Sequence, residues 1–328
     1  MVRMPLQTKF YIAAYDSGGS KLRARVADSE GKVISKVERA ISGVNGEGLP
    51  KVTGDCLEEA IKQAEAQSGN VEISAIAGSQ AGVIDRNNGV VVLSPNVKEG
   101  INIQMGPYLT DRFKVPFWLE NDADAAAYGV LKTDPQAKGM KHIVYIVMGT
   151  GIGGGIIING EIYSGVGGGG EAGHTIVVIN GRICGCGKRG CWEAYCSGSG
   201  LEKSAIEEEA VAQSIRKTLG ITGEIKAKDV FEAMRRGNNA ARHVINSLGN
   251  YNAIAVSNLI NLLRPEAVFI GESVAKNNSE VLQMLQERVP PLLLPSVRET
   301  QILKTQADDP GLMGAIYLAI DRYKRTYI

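Results

Sequence analysis

Four of the five cysteines, Cys184, Cys186, Cys191 and Cys196, fall within 13 consecutive positions. His174 precedes the first three of them by 10, 12 and 17 residues, and Gly185, Gly187 and Gly190 are interspersed. One imidazole and three thiolates complete a closed tetrahedral Zn²⁺ site, and glycine lets a short loop fold tightly around an ion. Such a site has no position for a reactive water, so the ion would order the loop rather than hydrolyse anything. Cys196 competes as the fourth ligand, which would free His174; its structural alternative is a buried thiol. Glu171 and Glu193 bracket the loop, where they suit hydrogen bonding to vicinal hydroxyls or simply face solvent.

Two glycine-rich turns follow apolar runs: Gly18-Gly19-Ser20 after FYIAAYD, and the stretch opening at Gly149-Thr150-Gly151 after HIVYIVM. A residue without Cβ lets backbone N–H groups point at phosphate oxygens, though a tight hairpin turn is the plainer reading of either alone. Neither turn has the Gly-Lys-Ser/Thr ending of a P-loop or a clean dinucleotide-binding fingerprint. Asp16 stands just before the first turn, where a carboxylate either caps the turn or holds Mg²⁺ bridging phosphates. Asn121 and Asp122 precede an alanine-rich stretch. Asp122 reads as a helix N-cap or as a general base that takes the proton of a hydroxyl nucleophile. Asp124, two positions on, either raises the pKa of Asp122 or faces solvent.

The elements that must hold these groups alternate between strand and helix. Strands are expected over FYIAAY, Leu22–Ala27, KVISKV, EISAIAG, PFWLE, HIVYIVM, IIIN, AVFIG and Gln301–Leu303, with a hairpin at GVIDRNNGVVVL. Helices are expected over about 55–67, 104–113, after Asn121, 240–263, 279–287 and from Gly311. The long helix carries Val244, Leu248, Tyr251, Ala255, Leu259 and Leu262 as one apolar stripe. The unit of strand, glycine turn and strand recurs with an offset of 133 residues, from Asp16 to Gly149, close to half the chain. An α/β architecture of two related halves with a cleft between them follows.

With 328 residues the chain suits about two domains. Lys plus Arg exceeds Asp plus Glu by one, 36 against 35, so no global field attracts nucleic acid or an anionic membrane. Glycine is the outlier, 40 residues or about 12%. No run of about 18 uncharged apolar residues suggests a membrane span, and no secretory h-region is visible near the start. The expected location is the cytoplasm, where clustered cysteines read as metal-binding.

Together, DSGGSK, ENDADAAAYG, GTGIGGG, GGGGEAGH and CGCGKRGCWEAY resemble the ROK family of repressors and sugar kinases, over nearly the whole chain. The zinc-loop wording is most similar to the glucokinases of that family. The resemblance implies a duplicated, two-lobed actin-like ATPase (ribonuclease H-like) fold. One lobe would span 1–121, joined by the C-terminal helix 309–328. The other would span 122–308 and contain the zinc loop 174–191. It implies ATP, Mg²⁺ and a structural Zn²⁺, with a homodimer or higher homo-oligomer.

By that resemblance Asp122 is the catalytic base, and Gly82, Asn96, Asn121, Glu171, His174 and Glu193 line the sugar site with it. Asp16, Gly18, Gly19, Ser20 and Lys21, with Gly149, Thr150 and Gly151, serve ATP and its phosphates; Asp16 also serves Mg²⁺, and Gly271 lies near the adenosine. His174 would place one ring nitrogen on zinc and the other on a sugar hydroxyl. Several positions depart from the family pattern. Ser20 stands for its Thr, Asp124 for an Asn, Ala81 for a Pro, Ile101 near the place of a Trp, and Glu272 for a glycine. The expected reaction is transfer of the ATP γ-phosphoryl group to the 6-hydroxyl of a hexose, glucose first, with closure of the lobes excluding water. An N-acetylmannosamine or N-acetylglucosamine kinase is the alternative. A sugar-sensing regulator is disfavoured, because the first strand begins near residue 10 and leaves no room for a winged helix-turn-helix.

Overall fold

The computed structural model describes residues 9–94 and 97–328. The described residues fall into two compact units: one takes the chain up to Lys138 with Glu161–Gly169 and Gln306–Ile328, the other Gly139–Gly160 and Gly170–Thr305.

The first unit opens with β1 (Tyr11–Ser17), β2 (Lys21–Asp28), β3 (Val33–Ala40), α1 (Leu49–Ser68) and β4 (Ile73–Gln80). A small antiparallel sheet follows, β5 (Val83–Asp85), β6 (Val90–Leu93) and β7 (Ile101–Ile103), then α2 (Met105–Phe113), β8 (Phe117–Asn121) and α3 (Asp122–Thr133). The main sheet has the order β3-β2-β1-β4-β8, its first three strands antiparallel and β4 and β8 parallel to β1. β1 is buried on both sides, and its two-residue period sorts its side chains. Tyr11, Ala13 and Tyr15 join Leu49, Leu57 and Ala60 of α1 in one core. Ile12 and Ala14 face the other core, built on the C-terminal helix α11 (Pro310–Tyr327) through Leu312, Ala315, Ile316 and Ala319. α1 starts six residues before the expected position, with Pro50 in its first turn, where a missing N–H costs nothing.

The second unit repeats the plan. β9 (Ile143–Met148) pairs antiparallel with β10 (Ile152–Ile158) and parallel with β12 (Ala267–Gly271), which pairs with β13 (Gln301–Lys304). The two-residue strand β11 (Glu161–Ile162) is counted with the first unit. Helices α4 (Glu193–Cys196), α5 (Gly198–Ile206), α6 (Glu209–Leu219), α7 (Ala227–Arg235), α8 (Asn239–Leu263), α9 (Glu272–Asn277) and α10 (Ser279–Arg288) complete it. The order β10-β9-β12-β13 matches β2-β1-β4-β8, so the repeat in the sequence is a repeat of topology.

Some expectations shift. Gly153, Gly154 and Gly155 lie inside β10 rather than in a turn. A Cβ on Gly154 would stand 2.8 Å from Ala172 Cβ and from Gly170 O, so this glycine admits a close approach of the neighbouring chain. On α8, Leu262 is 81% exposed while Ile260 is fully buried, because the helix turns its stripe toward Ala241, Ile245, Asn252 and Val256. The sequence reading opened the second lobe at α3, whereas α3 is counted with the first unit. It crosses α11 at backbone contact: a Cβ on Gly314 would lie 1.7 Å from Ala125 O, and one on Gly129 1.9 Å from Pro310 O.

Candidate active site

In the first unit, the transition from β8 to α3 presents Asn121 and Asp122. Asn121, in extended conformation, is the N-cap; its Oδ1 accepts from Ala123 N (2.9 Å) and Asp124 N (3.2 Å). Its Nδ2 donates to Gly82 O (3.0 Å), which ties the turn to the β5–β6 hairpin. Gly82 has φ 127°, and a Cβ there would strike Leu93 O at 2.2 Å, so only glycine fits. Capping is thus done by Asn121, and Asp122 is the first helical residue, with an exposed side chain. Its Oδ1 accepts from Ala123 N at 2.9 Å, at the positive end of α3. Asp124 neither faces solvent nor stands as an uncompensated charge: it is 2% exposed and paired with Arg86 at 2.6 Å. Asn96 lies outside the described residues.

The first glycine turn closes by Gly18 N donating to Lys21 O at 3.0 Å, leaving Gly19, Ser20 and Lys21 exposed. Asp16, at the end of β1, accepts from Ser79 Oγ at 2.6 Å on one oxygen and from Arg23 at 2.5 Å on the other. Arg23 also meets Asp309, at the start of α11, at 2.7 Å. Burial holds the Asp309 carboxyl above its usual range despite that cation.

In the second unit, the turn Gly149–Gly151 is braced from behind. Gly198 N donates to Gly149 O (2.8 Å), Ser199 N to Thr150 O (3.3 Å), and Ile152 N to Glu193 Oε2 (2.9 Å). Glu193 therefore links this turn to the cysteine loop, since its Oε1 lies 3.7 Å from Cys184 Sγ. Gly271, at the end of β12, is obligatory because a Cβ would meet Tyr145 Oη at 2.1 Å. Glu272 takes φ 69°, a left-handed conformation that favours glycine, and its Cβ is 3.9 Å from a Cβ built on Gly149.

The four predicted metal donors converge. His174, Cys184, Cys186 and Cys191 place one ligand atom each within 4.8 Å of one another. Cys184 Sγ is 3.7 Å from His174 Nδ1, and Cys186 Sγ is 3.7 Å from Cys191 Sγ. A tetrahedral ion with metal–sulfur bonds of about 2.3 Å sets its sulfurs roughly 3.8 Å apart, so the donor set fits Zn²⁺. Burial pushes Cys184 up and Cys191 up to about 12, whereas the Lys188 N–H lowers Cys186; thiolates packed this closely need a cation to coexist. Cys196 is not of this group: its Sγ, fully buried, points at Leu248 O at 3.6 Å, and burial pushes its thiol far up. Glu171, exposed, precedes the short turn Ala172–His174.

Three arginines escaped the sequence reading. Arg86 bonds both Glu120 and Asp124. Arg182 fastens the cysteine loop by donating to Ala194 O (2.7 Å) and Gly200 O (3.0 Å). Arg23 holds Asp16. An isolated arginine carries no periodic or spacing signal, and only the fold brings its partners to it.

A match to the ROK family spans residues 12–322, and the chain belongs to that family. The chain is 30% identical over 319 residues to a glucokinase of Thermotoga maritima, covering 96% of this chain and 98% of that one. It is 28% identical over 293 residues to a xylose repressor of Bacillus spizizenii, covering 88% of this chain and 70% of the repressor. The solved ROK glucokinase of Streptomyces griseus in complex with glucose and AMPPNP superposes with a TM-score of 0.73 at 28% identity, covering 94% of this chain and 98% of that one. The fold is the actin-like ATPase fold of ROK sugar kinases.

Proposed function

We propose that this chain is an ATP-dependent kinase of the 6-hydroxyl of a hexose, glucose first, acting in the cytoplasm. The observation that carries the reading is the division of labour at the start of α3. Asn121 caps the helix, and the Asp122 carboxylate, on the first helical residue, is exposed to solvent. A sugar hydroxyl is a poor nucleophile until a positioned carboxylate takes its proton. In the step, Asp122 accepts that proton, the hydroxyl oxygen bonds to the γ-phosphorus in line with the breaking bond, and ADP leaves. Backbone N–H groups of the turns at Gly18–Ser20 and Gly149–Gly151 cradle the phosphates. Gly82, Asn96, Asn121, Glu171, His174 and Glu193 bind and orient the sugar, and Gly271 borders the adenosine.

Each Asp16 oxygen already accepts one hydrogen bond and keeps a further lone-pair direction. That suits a water of hydrated Mg²⁺, while the Arg23 guanidinium opposes a bare divalent ion at the carboxylate. When bound, Mg²⁺ supplies charge neutralisation at the phosphates. His174, Cys184, Cys186 and Cys191 would hold Zn²⁺, which when bound orders the loop. With Nδ1 turned toward Cys184, the His174 ring keeps Nε2 for a sugar hydroxyl.

The test is ADP release from Mg-ATP with glucose, N-acetylmannosamine, N-acetylglucosamine, fructose or no sugar, with Asp122→Asn alongside. Glucose-dependent turnover is expected, cut by roughly 10²–10⁴-fold in the variant. Preference for an acetylated sugar would keep the mechanism and change the substrate. No turnover on any sugar, with sugar binding intact by calorimetry, would overturn the kinase reading in favour of a sensor like the xylose repressor.

A further inference from the structure

The first turn of α3 is gripped by a residue from a different element. Arg86 sits in the loop between β5 and β6. That loop is stiffened by Asp85, whose Oδ1 accepts from the backbone N–H groups of Asn87 and Asn88, both at 3.1 Å. From there Arg86 Nε reaches Glu120 Oε1 at 2.5 Å, and its Nη2 reaches Asp124 Oδ2 at 2.6 Å. The two carboxylates are 3% and 2% exposed. They stand one residue before and two residues after the Asn121–Asp122 pair. Glu120 Oε1 also accepts from Asn121 N at 3.0 Å.

We propose that Arg86 is a positioning residue for phosphoryl transfer: by holding Glu120 and Asp124 together it fixes the direction in which the chain presents the Asp122 carboxylate. The inference rests on the reading of Asp122 as base. Nε and Nη2 form one rigid, planar edge of the guanidinium, and here that edge spans two carboxylates instead of gripping one. The separation of residues 120 and 124 is therefore set by a covalent fork, at the place where the strand becomes a helix. Packing alone would not supply this. Apolar side chains of similar volume can hold two elements together as firmly as a buried ion pair, without its directionality. The Asn121 Nδ2 bond to Gly82 O makes a second link to the same hairpin, so hairpin and catalytic turn are held as one body.

Asp124 and Arg86 also explain each other. An acid here, where the family pattern has an amide, is tolerable only with a cation at hand.

The experiment compares wild type, Asp122→Asn, Arg86→Lys and the triple variant Arg86→Met/Glu120→Gln/Asp124→Asn, in sugar-dependent ADP release and thermal unfolding. Arg86→Lys keeps the charge but loses the fork; kcat should fall about tenfold or more, with KM for Mg-ATP within about threefold. The triple variant removes the three charges together, and Arg322, which stands 3.5 Å from Glu120 Oε2, is part-exposed and keeps its solvation, so the Tm should stay near that of wild type while kcat stays low. Either variant folded with wild-type kcat, or a loss that merely tracks the folded fraction, would overturn the proposal. Wild type inactive on every sugar, or Asp122→Asn as active as wild type, would instead refute the reading on which it rests.

Discussion

Gly314→Ala sets two physical arguments against each other. Gly314 lies inside α11, where replacing glycine by alanine ordinarily stabilises a helix by about 1 kcal/mol. The crossing with α3 predicts the opposite sign. The added Cβ would stand 1.7 Å from Ala125 O and 2.5 Å from Ala125 C, both backbone atoms that no rotamer change can remove. Restoring ordinary contact near about 3.2 Å requires the helices to part by roughly 1.5 Å, loosening the core around Leu312, Ala315, Ile316 and Ala319. Overpacking of this kind costs about 1–3 kcal/mol, and backbone against backbone takes the upper end, so after the gain in propensity about 2 kcal/mol of destabilisation remains. For a unit of this size that is a fall in Tm of roughly 4–8 °C, measured by calorimetry or circular dichroism. Because α3 carries Asp122 on its first turn, kcat should fall at temperatures where the variant is fully folded. A Gly314→Ala protein as stable as wild type, or more so, would refute the backbone contact and the argument built on it.

Thiol titration tests the metal loop. With a strong chelator, Cys186, exposed and lowered by the Lys188 N–H, should react first with a disulfide reagent at pH 8, and Cys184 and Cys191 should follow as the loop opens without its ion. Cys56, pushed up to about 11 by burial, and Cys196 should stay silent until denaturant is added. Without chelator, metal analysis should find one Zn²⁺ per chain; absence of zinc and five equally reactive thiols would sink the site. Acid stability tests Glu266, whose carboxylate accepts from the N–H groups of Lys141 (2.6 Å) and His142 (2.9 Å) and is thereby held below its usual range. A depressed carboxylate contributes stability in full above its unfolded pKa and loses it as pH falls through the folded one. The Tm of wild type should therefore drop more steeply between about pH 5 and pH 3 than that of Glu266→Gln, and parallel curves would remove Glu266 from the account.

Much of the fold was legible because it rests on local pattern. Short continuous apolar runs, FYIAAY and HIVYIVM, marked the two central strands, and the recurrence of strand, glycine turn and strand announced the duplicated topology. The metal loop was equally legible. His174 and three cysteines lie within 18 residues, so short-range geometry nearly forces their donor atoms together.

What the sequence left open depended on partners distant along the chain. Whether Cys196 or His174 completed the metal group was decided by α8, which buries the thiol against Leu248. The burial of Asp124 was decided by Arg86, 38 residues away, and its neighbour Asp122 was released from capping because Asn121 does it. Gly154 of β10 and the glycines of the α3–α11 crossing carry no periodicity, and only the chain packed against them reveals why a side chain would clash. Residue type and spacing along the chain determined which groups could do chemistry. Burial and pairing at long range, which set charge, direction and exposure, were decided by the tertiary structure alone.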